Sequence, residues 1–426
     1  MKTAGVIAEF DPFHNGHAYF LRRVRELTSA DFIIAVISGD YTQRGDPALI
    51  CKRLRAEAAM RNGADVVIEL PMQYATSSAE LFAYAGVSLL DSLGVVNNIC
   101  FGTEEEDIGV LYLASEILSY ETDVFREKLD ADLKAGMNYP EARLRAAVEM
   151  MRCSSKPEAA SKADELSEAL RRPNNILAVE YLNALKKLGS EIKPVNIRRE
   201  ATDHDDTNTY GVYSSARNIR ETLKVTRSFE SVGTFLPGNT LPVLAEHFLM
   251  DFPVYDDDLS LLLKYRLEME TEGSLMQYAD MSADLARRII KHRHELTGAA
   301  QFKSLIKTRN LTYTRISRAL LHTLLNVTKK DMDEYREAGV TGYARLLGFR
   351  KEASEAVDEM NKRSVIPVIS RLSDYRKLLA APFDRMLSDT LRASDIYNFV
   401  VRDIYGADMT PEISRMAVSG EEMVLI

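Results

Sequence analysis

The chain has 426 residues, 46% of them hydrophobic, and a formal charge of -9 at pH 7. That length suits two or three domains with sizeable cores. The acidic balance excludes a generic polyanion-binding surface but leaves room for a local basic one. Its three cysteines, Cys51, Cys100 and Cys153, are far apart and form no metal-type pair. No stretch approaches the ~18 consecutive apolar residues of a membrane span, so a soluble, cytoplasmic protein with reduced thiols is expected.

The first element is the apolar run Val6, Ile7, Ala8, which stops at Glu9, Phe10, Asp11 and Pro12. After Phe13 come His14, Asn15, Gly16 and His17, and then Phe20, Leu21, Val24 and Leu27 at helical spacing. The pattern predicts a strand, a tight turn and a helix. The free N–H groups and dipole at the start of that helix favour a phosphate. Two imidazoles three residues apart can flank one oxyanion, and Gly16 permits close approach of backbone and ligand. The bland alternative is a pair of helix-capping histidines. The pattern His-x-Gly-His resembles the nucleotide-binding signature of the nucleotidyltransferase superfamily of adenylyl-transferring enzymes.

Phe32 to Ile37 predicts a second strand, running into the polar loop Ser38-Gly39-Asp40-Tyr41-Thr42-Gln43-Arg44-Gly45-Asp46-Pro47. Loops at that edge of an open parallel sheet line the ligand crevice. Asp40, Gln43 and Arg44 are therefore expected to converge on the end of the first strand. Val66 to Ile68 predicts a third strand and Tyr74 to Ala85 a helix. Val95 to Phe101 predicts a fourth strand, with Gly102 at its carboxyl end, where a ring or ribose can lie against the backbone. Glu104, Glu105, Glu106 and Asp107 read as the first turn of a helix. Residues 108 to 190 keep helical spacing throughout and are expected to form an inserted helical piece. It contains Pro173, Asn174 and Asn175, with either asparagine able to cap a helix. Lys193 to Ile197 predicts a fifth strand, ending in Arg198 and Arg199. The Asp203, His204, Asp205, Asp206 cluster behind it reads more simply as a polar loop than as a metal site.

Ser214, Ser215, Ala216, Arg217, Asn218, Ile219 and Arg220 then open a helix whose N–H groups suit a phosphate. This looks like the second signature of the same superfamily, with Arg217 where a small hydroxyl residue often stands. Five strands alternating with helices, one signature after the first strand and the other after the fifth, predict an α/β, doubly wound parallel sheet. Strand order 3-2-1-4-5 would put both signatures beside the central switch point.

After about residue 225 helical spacing dominates. Residues 287 to 330 are strongly basic, with Arg287, Arg288, Lys291, Arg293, Lys303, Lys307, Arg309, Arg315, Arg318, Lys329 and Lys330, and Glu295 as the sole acid. Such a stretch on an acidic protein attracts phosphates, and sparse aromatics favour backbone contact over base stacking. Gly342 to Phe349 reads as a break between helices, and Ile366 to Arg371 as a short strand.

The spaced motifs GVIAEFDPFHNGH, SGDYTQRGDPAL, ADVVIELP, FGTEEED, RRPNNILAVEYL, SSARNIRE, TRISRALLH and YARLLGF resemble those of the bacterial tRNA(Met) cytidine acetate ligases. The resemblance implies a five-stranded nucleotidyltransferase domain (Rossmann-like, HUP) over residues 1–224, with its helical insertion at about 108–190. A mainly helical tRNA-binding domain over residues 225–426 would follow. It implies a ligase that activates acetate with ATP as acetyl-adenylate, then acetylates the wobble cytidine of elongator tRNA(Met). It also implies ATP contacts at Ile7, Ala8, Glu9, Phe10, Phe13, His14, Gly16, His17, Phe20, Gly102, Asn174 and Arg199, with Ser215 added from the second signature. Asn175 and Arg198 stay open as adjacent alternatives. His14 and His17 are expected at the phosphates, and Asp40 either as a base for the cytidine amine or in an acetate-pocket or structural role. Mg²⁺ is expected with ATP, without a dedicated protein ligand. The tRNA contacts are expected among Arg287, Arg288, Lys291, Lys307, Arg309, Arg315 and Arg318. The alternative is a small-metabolite adenylyltransferase, which would not need a basic second half.

Overall fold

The structure is a computed structural model and describes all residues except 106–107, 120–121, 154–159, 200–210, 408–409 and 415–423. The Asp203 to Asp206 cluster and the pair Glu106 and Asp107 lie outside the described residues.

Alternation within the early strands sets the layers. Along β2 (Phe32–Ser38), Ile33, Ala35 and Ile37 enter one core, while Ile34 and Val36 enter another. This is the period of two expected of a strand buried on both faces. The first core is covered by α1 (Asn15–Thr28) and includes Ala56, Ala59 and Met60 of α2 (Lys52–Arg61). The second is covered by the helices Ala79–Ser92 and Pro173–Leu188, through side chains such as Phe82, Leu89, Val179 and Tyr181. Helices on both faces make the sheet doubly wound.

β1 (Thr3–Ala8) pairs in parallel with β2 and with β4 (Asn98–Thr103). β2 pairs with β3 (Val66–Leu70), and β4 with β5 (Lys193–Arg198), both in parallel. The order of these five is 3-2-1-4-5, as the two-signature argument expects. The sheet does not stop there. β6 (Ala344–Phe349) adds antiparallel to β3, and β7 (Val368–Ile369) and β8 (Val424–Leu425) both pair with β6.

Residues 344–349, expected as a break between helices, are thus a strand, and the second half returns to the sheet across the expected boundary at 224/225. The glycines that signalled a break have another reason. A Cβ at Gly348 would meet the Val424 carbonyl oxygen at 2.4 Å, so this glycine lets β8 approach.

The helical insertion runs through Gly109–Ser119, Asp123–Lys134, Tyr139–Arg152, Ala163–Ala169 and Pro173–Leu188. Glu104 and Glu105 precede it in a bend rather than forming its first turn. A separate core, with Leu263, Leu285, Phe302, Ile316 and Leu320, organises the helices between 260 and 325. The long helix Phe383–Tyr405 grips the loop after β2. Tyr397 Oη donates to the Ala48 carbonyl at 3.0 Å, and Tyr41 Oη donates to the Ala393 carbonyl at 3.2 Å. Among the described residues no helix is long and apolar enough to cross a membrane, and no disulfide joins Cys51, Cys100 or Cys153.

Candidate active site

A cleft of about 1370 Å³ opens at the carboxyl ends of β1, β4 and β5. Its floor begins where β1 turns into α1. Phe10 holds the turn with φ of +53°, a left-handed conformation that costs a bulky residue about 1–3 kcal/mol unless its surroundings impose it. Here they do. The buried Phe10 ring meets Phe13 edge-on at 4.9 Å and His17 at 5.0 Å.

The two histidines are both helix caps and cleft residues. His14 Nδ1 accepts from the Gly16 N–H at 3.1 Å, and His17 Nδ1 accepts from the His14 N–H at 3.3 Å. The two rings stack at 3.7 Å. A nitrogen that accepts carries no proton, so each neutral ring bears its proton on Nε2. Capping therefore selects the tautomer that presents an Nε2–H donor. Gly16 serves this arrangement directly, since a Cβ there would meet His14 Cε1 at 2.9 Å.

The second signature is tied to the first. Ser215 caps the helix Ala216–Thr226, accepting from the Asn218 N–H at 3.1 Å. Arg220, on that helix, reaches Asp11 Oδ2 at 3.2 Å. Asn15 Nδ2 donates to the carbonyls of Val212 and Thr234, both at 2.9 Å. Burial lowers the Arg220 pKa, but the carboxylates of Asp11, Asp46, Glu9 and Asp256 outweigh it, so its pKa is raised and it stays charged. Glu9 accepts from the Gln43 N–H at 2.6 Å, yet burial raises its carboxyl above the usual range.

On the β4–β5 side, Asn174 donates to Glu104 Oε1 at 2.5 Å and accepts from Arg199 Nη1 at 3.3 Å. Glu104 Oε2 accepts from the Asn175 N–H at 3.1 Å. Arg199 lies across Gly102, where a Cβ would meet its Cγ at 3.2 Å. Burial lowers the Arg199 pKa, and Glu104 opposes the shift. Asn174 lines the cleft, whereas Asn175 is fully buried and donates to the Ala169 carbonyl. Arg198 and Arg199 both line it.

Of the expected ATP contacts, Ile7, Ala8, Glu9, Phe10, His14, Gly16, His17, Phe20, Gly102, Asn174, Arg199 and Ser215 all line the cleft. Phe13 does not. It packs in the core beneath the turn and supports Phe10 and His17.

Asp40 also lies outside the cleft, because it is consumed by structure. Its side chain is buried and accepts from the Lys52 N–H at 2.9 Å at the start of α2, with Lys52 Nζ 3.6 Å away. Asp40→Asn is therefore expected to cost about 1–3 kcal/mol of stability while turnover per folded molecule stays within about twofold. Thermal melting alongside steady-state rates checks this.

Arg315 and Arg318, expected on a tRNA-binding face, line the cleft instead. Arg318 pairs with Asp280 at 2.8 Å, and Arg315 Nε donates to the Asp280 carbonyl at 3.4 Å. Arg287, Lys291, Lys307 and Arg309 are exposed outside the cleft, and Arg288 is half-buried, donating to the Ile306 carbonyl at 3.0 Å. Asp11, Asp46 and Asp256 were not singled out from sequence, although Asp11 and Asp46 stand inside the quoted motifs.

The match to the family described as HIGH Nucleotidyl Transferase covers residues 1–410. A protein of Thermoanaerobacter sp. (strain X514) named tRNA(Met) cytidine acetate ligase is 35% identical over 404 residues, 95% of this chain and 96% of that one. A protein of the same name from Clostridium kluyveri is 38% identical over 374 residues, 87% of this chain and 90% of that one. The apo crystal structure of Thermotoga maritima TmcAL superposes with a TM-score of 0.90 at 31% identity, covering 97% of this chain and 98% of that one. The crystal structure of TmcAL bound with alpha-thio ATP gives 0.87 at 30% identity, covering 96% and 99%. Matched over nearly its whole length and carrying both signatures at one cleft, the chain belongs to the HIGH nucleotidyl transferase family and, within it, to the tRNA(Met) cytidine acetate ligases.

Proposed function

We propose that this protein is an ATP-dependent ligase that activates acetate as acetyl-adenylate and acetylates the wobble cytidine of elongator tRNA(Met) to N4-acetylcytidine. AMP and pyrophosphate are released. The observation that carries the reading is the cleft itself, in which the two signatures are joined by Arg220–Asp11 and Asn15 while Thr312 to Arg315 and Arg318 of the second half line the same cavity. A small-metabolite adenylyltransferase has no use for that additional wall.

The chemistry follows from the residue types. Acetate attacks the α-phosphorus, and negative charge grows on the non-bridging and leaving oxygens. Preorganised donors answer that charge. His14 and His17 supply Nε2–H donors, the dipole of α1 adds to them, and Arg199 neutralises phosphate or pyrophosphate. Gly102 receives the adenosine, Asn174 orients phosphate or ribose, and the helix begun by Ser215 closes the phosphate side. Mg²⁺ bound with ATP would neutralise part of the phosphate charge. Asp11, Glu9 and Asp46 already accept from backbone N–H groups, arginine or lysine, and among the described residues no three metal-binding side chains converge. A tRNA substrate suits the cytoplasm.

Incubation with labelled acetate, ATP and total tRNA, followed by digestion to nucleosides, tests the reading. Labelled N4-acetylcytidine is expected, and its absence with folded protein and cognate tRNA refutes the ligase. A parallel incubation with ATP labelled in its AMP part tests the alternative, and label in an AMP derivative of a metabolite would favour the adenylyltransferase. Binding of tRNA is proposed to use the exposed Lys291, Lys307 and Arg309. The double variant Lys307→Glu, Arg309→Glu should weaken tRNA binding about tenfold and flatten the log K against log salt slope by roughly 0.7–0.9 per lost phosphate contact. Filter binding between 50 and 200 mM salt measures this.

A further inference from the structure

The cleft is lined by cations and carboxylates in similar numbers, and on one side two carboxylates share a single ammonium. Lys303 Nζ lies 2.8 Å from Asp46 Oδ1 and 2.6 Å from Asp256 Oδ2. Asp46 Oδ1 also accepts from Ser317 Oγ at 2.8 Å. Both carboxylates line the cleft, and the buried Lys303 stands behind them. Two negative charges against one positive leave the trio with a surplus negative charge.

The two acids are not equivalent. Burial acts on Asp46 as well, but Lys303 outweighs it and keeps Asp46 below the usual range. Burial and then the Asp46 charge push Asp256 up to about 6, against the pull of Lys303. Tyr313 lines the cleft beside them, its ring centroid 5.7 Å from Lys303 Nζ. Arg220 interacts with Asp46 and Asp256 as well as with Asp11 and Glu9, so the trio lies on the Arg220 side of the first signature.

A surplus carboxylate repels phosphate and suits an N–H donor. Cytosine presents one such donor, its exocyclic amine, and acidic side chains are the ordinary acceptors for it. We propose that Asp256 receives the N4 amine of the target cytidine and takes its proton during acetyl transfer, held in place by Lys303 and Asp46, with Tyr313 as a stacking face. This assignment rests on the ligase reading above. In the step, the N4 lone pair forms a bond to the acetyl carbonyl carbon. The bond from that carbon to the phosphate oxygen breaks, and its electron pair leaves with AMP. One N4 proton passes to the Asp256 carboxylate and from there to water.

The test separates the two half-reactions. For wild type and Asp256→Asn, acetate-dependent ATP–pyrophosphate exchange is compared with single-turnover acetyl transfer to tRNA. A general base contributes about 10²–10⁴-fold. Transfer in Asp256→Asn should therefore fall by about 100-fold, while exchange stays within about threefold. A transfer defect below about tenfold, or an equal loss in both reactions, overturns the assignment.

The wild-type pH profile is a second test that requires no variant. The groups facing Asp256 are Asp46, Lys303, Tyr313 and Arg220, with Tyr255, Asp257 and Asp258 on its own segment. Transfer should fall on the acid side with a midpoint near 6, and exchange should not follow it. A transfer profile flat between about pH 5 and 8 also overturns the assignment. If wild type forms no N4-acetylcytidine at all, it is the ligase reading that fails.

Discussion

His17→Ala is expected to lower acetate-dependent ATP–pyrophosphate exchange by about 10²–10³-fold, the loss typical of removing one preorganised donor from a developing oxyanion. The complication is that His17 also caps α1 through Nδ1. A lost cap costs about 1 kcal/mol, so the alanine variant mixes a small stability defect with the chemical one. His17→Asn separates them. Its side-chain oxygen can accept from the His14 N–H as Nδ1 does, but no N–H donor remains at the Nε2 position. Asparagine should thus recover most of the melting temperature and little of the exchange rate. Recovery of both together would show that His17 acts through the helix alone. Affinity for tRNA should change by less than about threefold in either variant, because its proposed contacts lie on exposed cations outside the cleft.

Glu412→Ala is expected to destabilise the protein by about 3–5 kcal/mol, the usual consequence of removing one partner from a buried ionic cluster. Glu412 Oε2 lies 2.8 Å from Lys52 Nζ, and its Oε1 lies 2.6 Å from Arg345 Nη2. Glu69 bridges the same two cations at 2.8 and 2.5 Å. Lys52 Nζ also donates to Ser394 Oγ at 2.7 Å. Without Glu412, two buried cations face Glu69 and the more distant Asp40.

The pH dependence has a definite sign. Burial opposes ionisation of Glu412, but Arg345 and Lys52 outweigh it and hold its carboxyl well below the usual range. A depressed folded value means its stabilisation is complete above the unfolded value, about 4.3, and is lost as pH falls through the folded value. Melting curves should show a constant gap between wild type and Glu412→Ala above about pH 5, narrowing in stronger acid. A gap that does not narrow would mean that the loss comes from packing rather than from charge.

The parts of this molecule that were legible in the sequence are those with local causes. The inner strands announce themselves because they are largely buried and carry short apolar runs ended by polar or glycine residues, whereas β5, half-exposed and interrupted by Pro194 and Asn196, is the least marked of the five. The signatures were legible because a helix start needs caps, and histidine and serine caps leave a written trace. Asn174 could not be separated from Asn175 by sequence, since one residue's rotation around a helix decides which faces the cleft.

The parts that were not legible depend on contacts between distant segments. β6 is short and pairs antiparallel with β3, and its glycine answers to a strand that arrives much later. Asp40 looked chemical because it stands in a polar loop, but its partner Lys52 is folded inward with Glu412, and no local pattern reveals a buried lysine. Arg315 and Arg318 share one basic run with Arg309, yet helix geometry turns them towards Asp280 and the cleft.

The Lys52–Glu412 contact joins residues 360 positions apart, and the Tyr397–Ala48 contact joins residues 349 apart. On a ribosome the nucleotide signatures emerge first and the groups that brace the loop behind them emerge last. At about 5–20 residues per second, the interval is on the order of tens of seconds. Through that interval the N-terminal sheet edge at β3 has no β6 to pair with, and Lys52 has no Glu412. Nucleotide binding by stalled nascent chains of increasing length would therefore report when the architecture closes, and long-range closure of this kind places the molecule among slow folders.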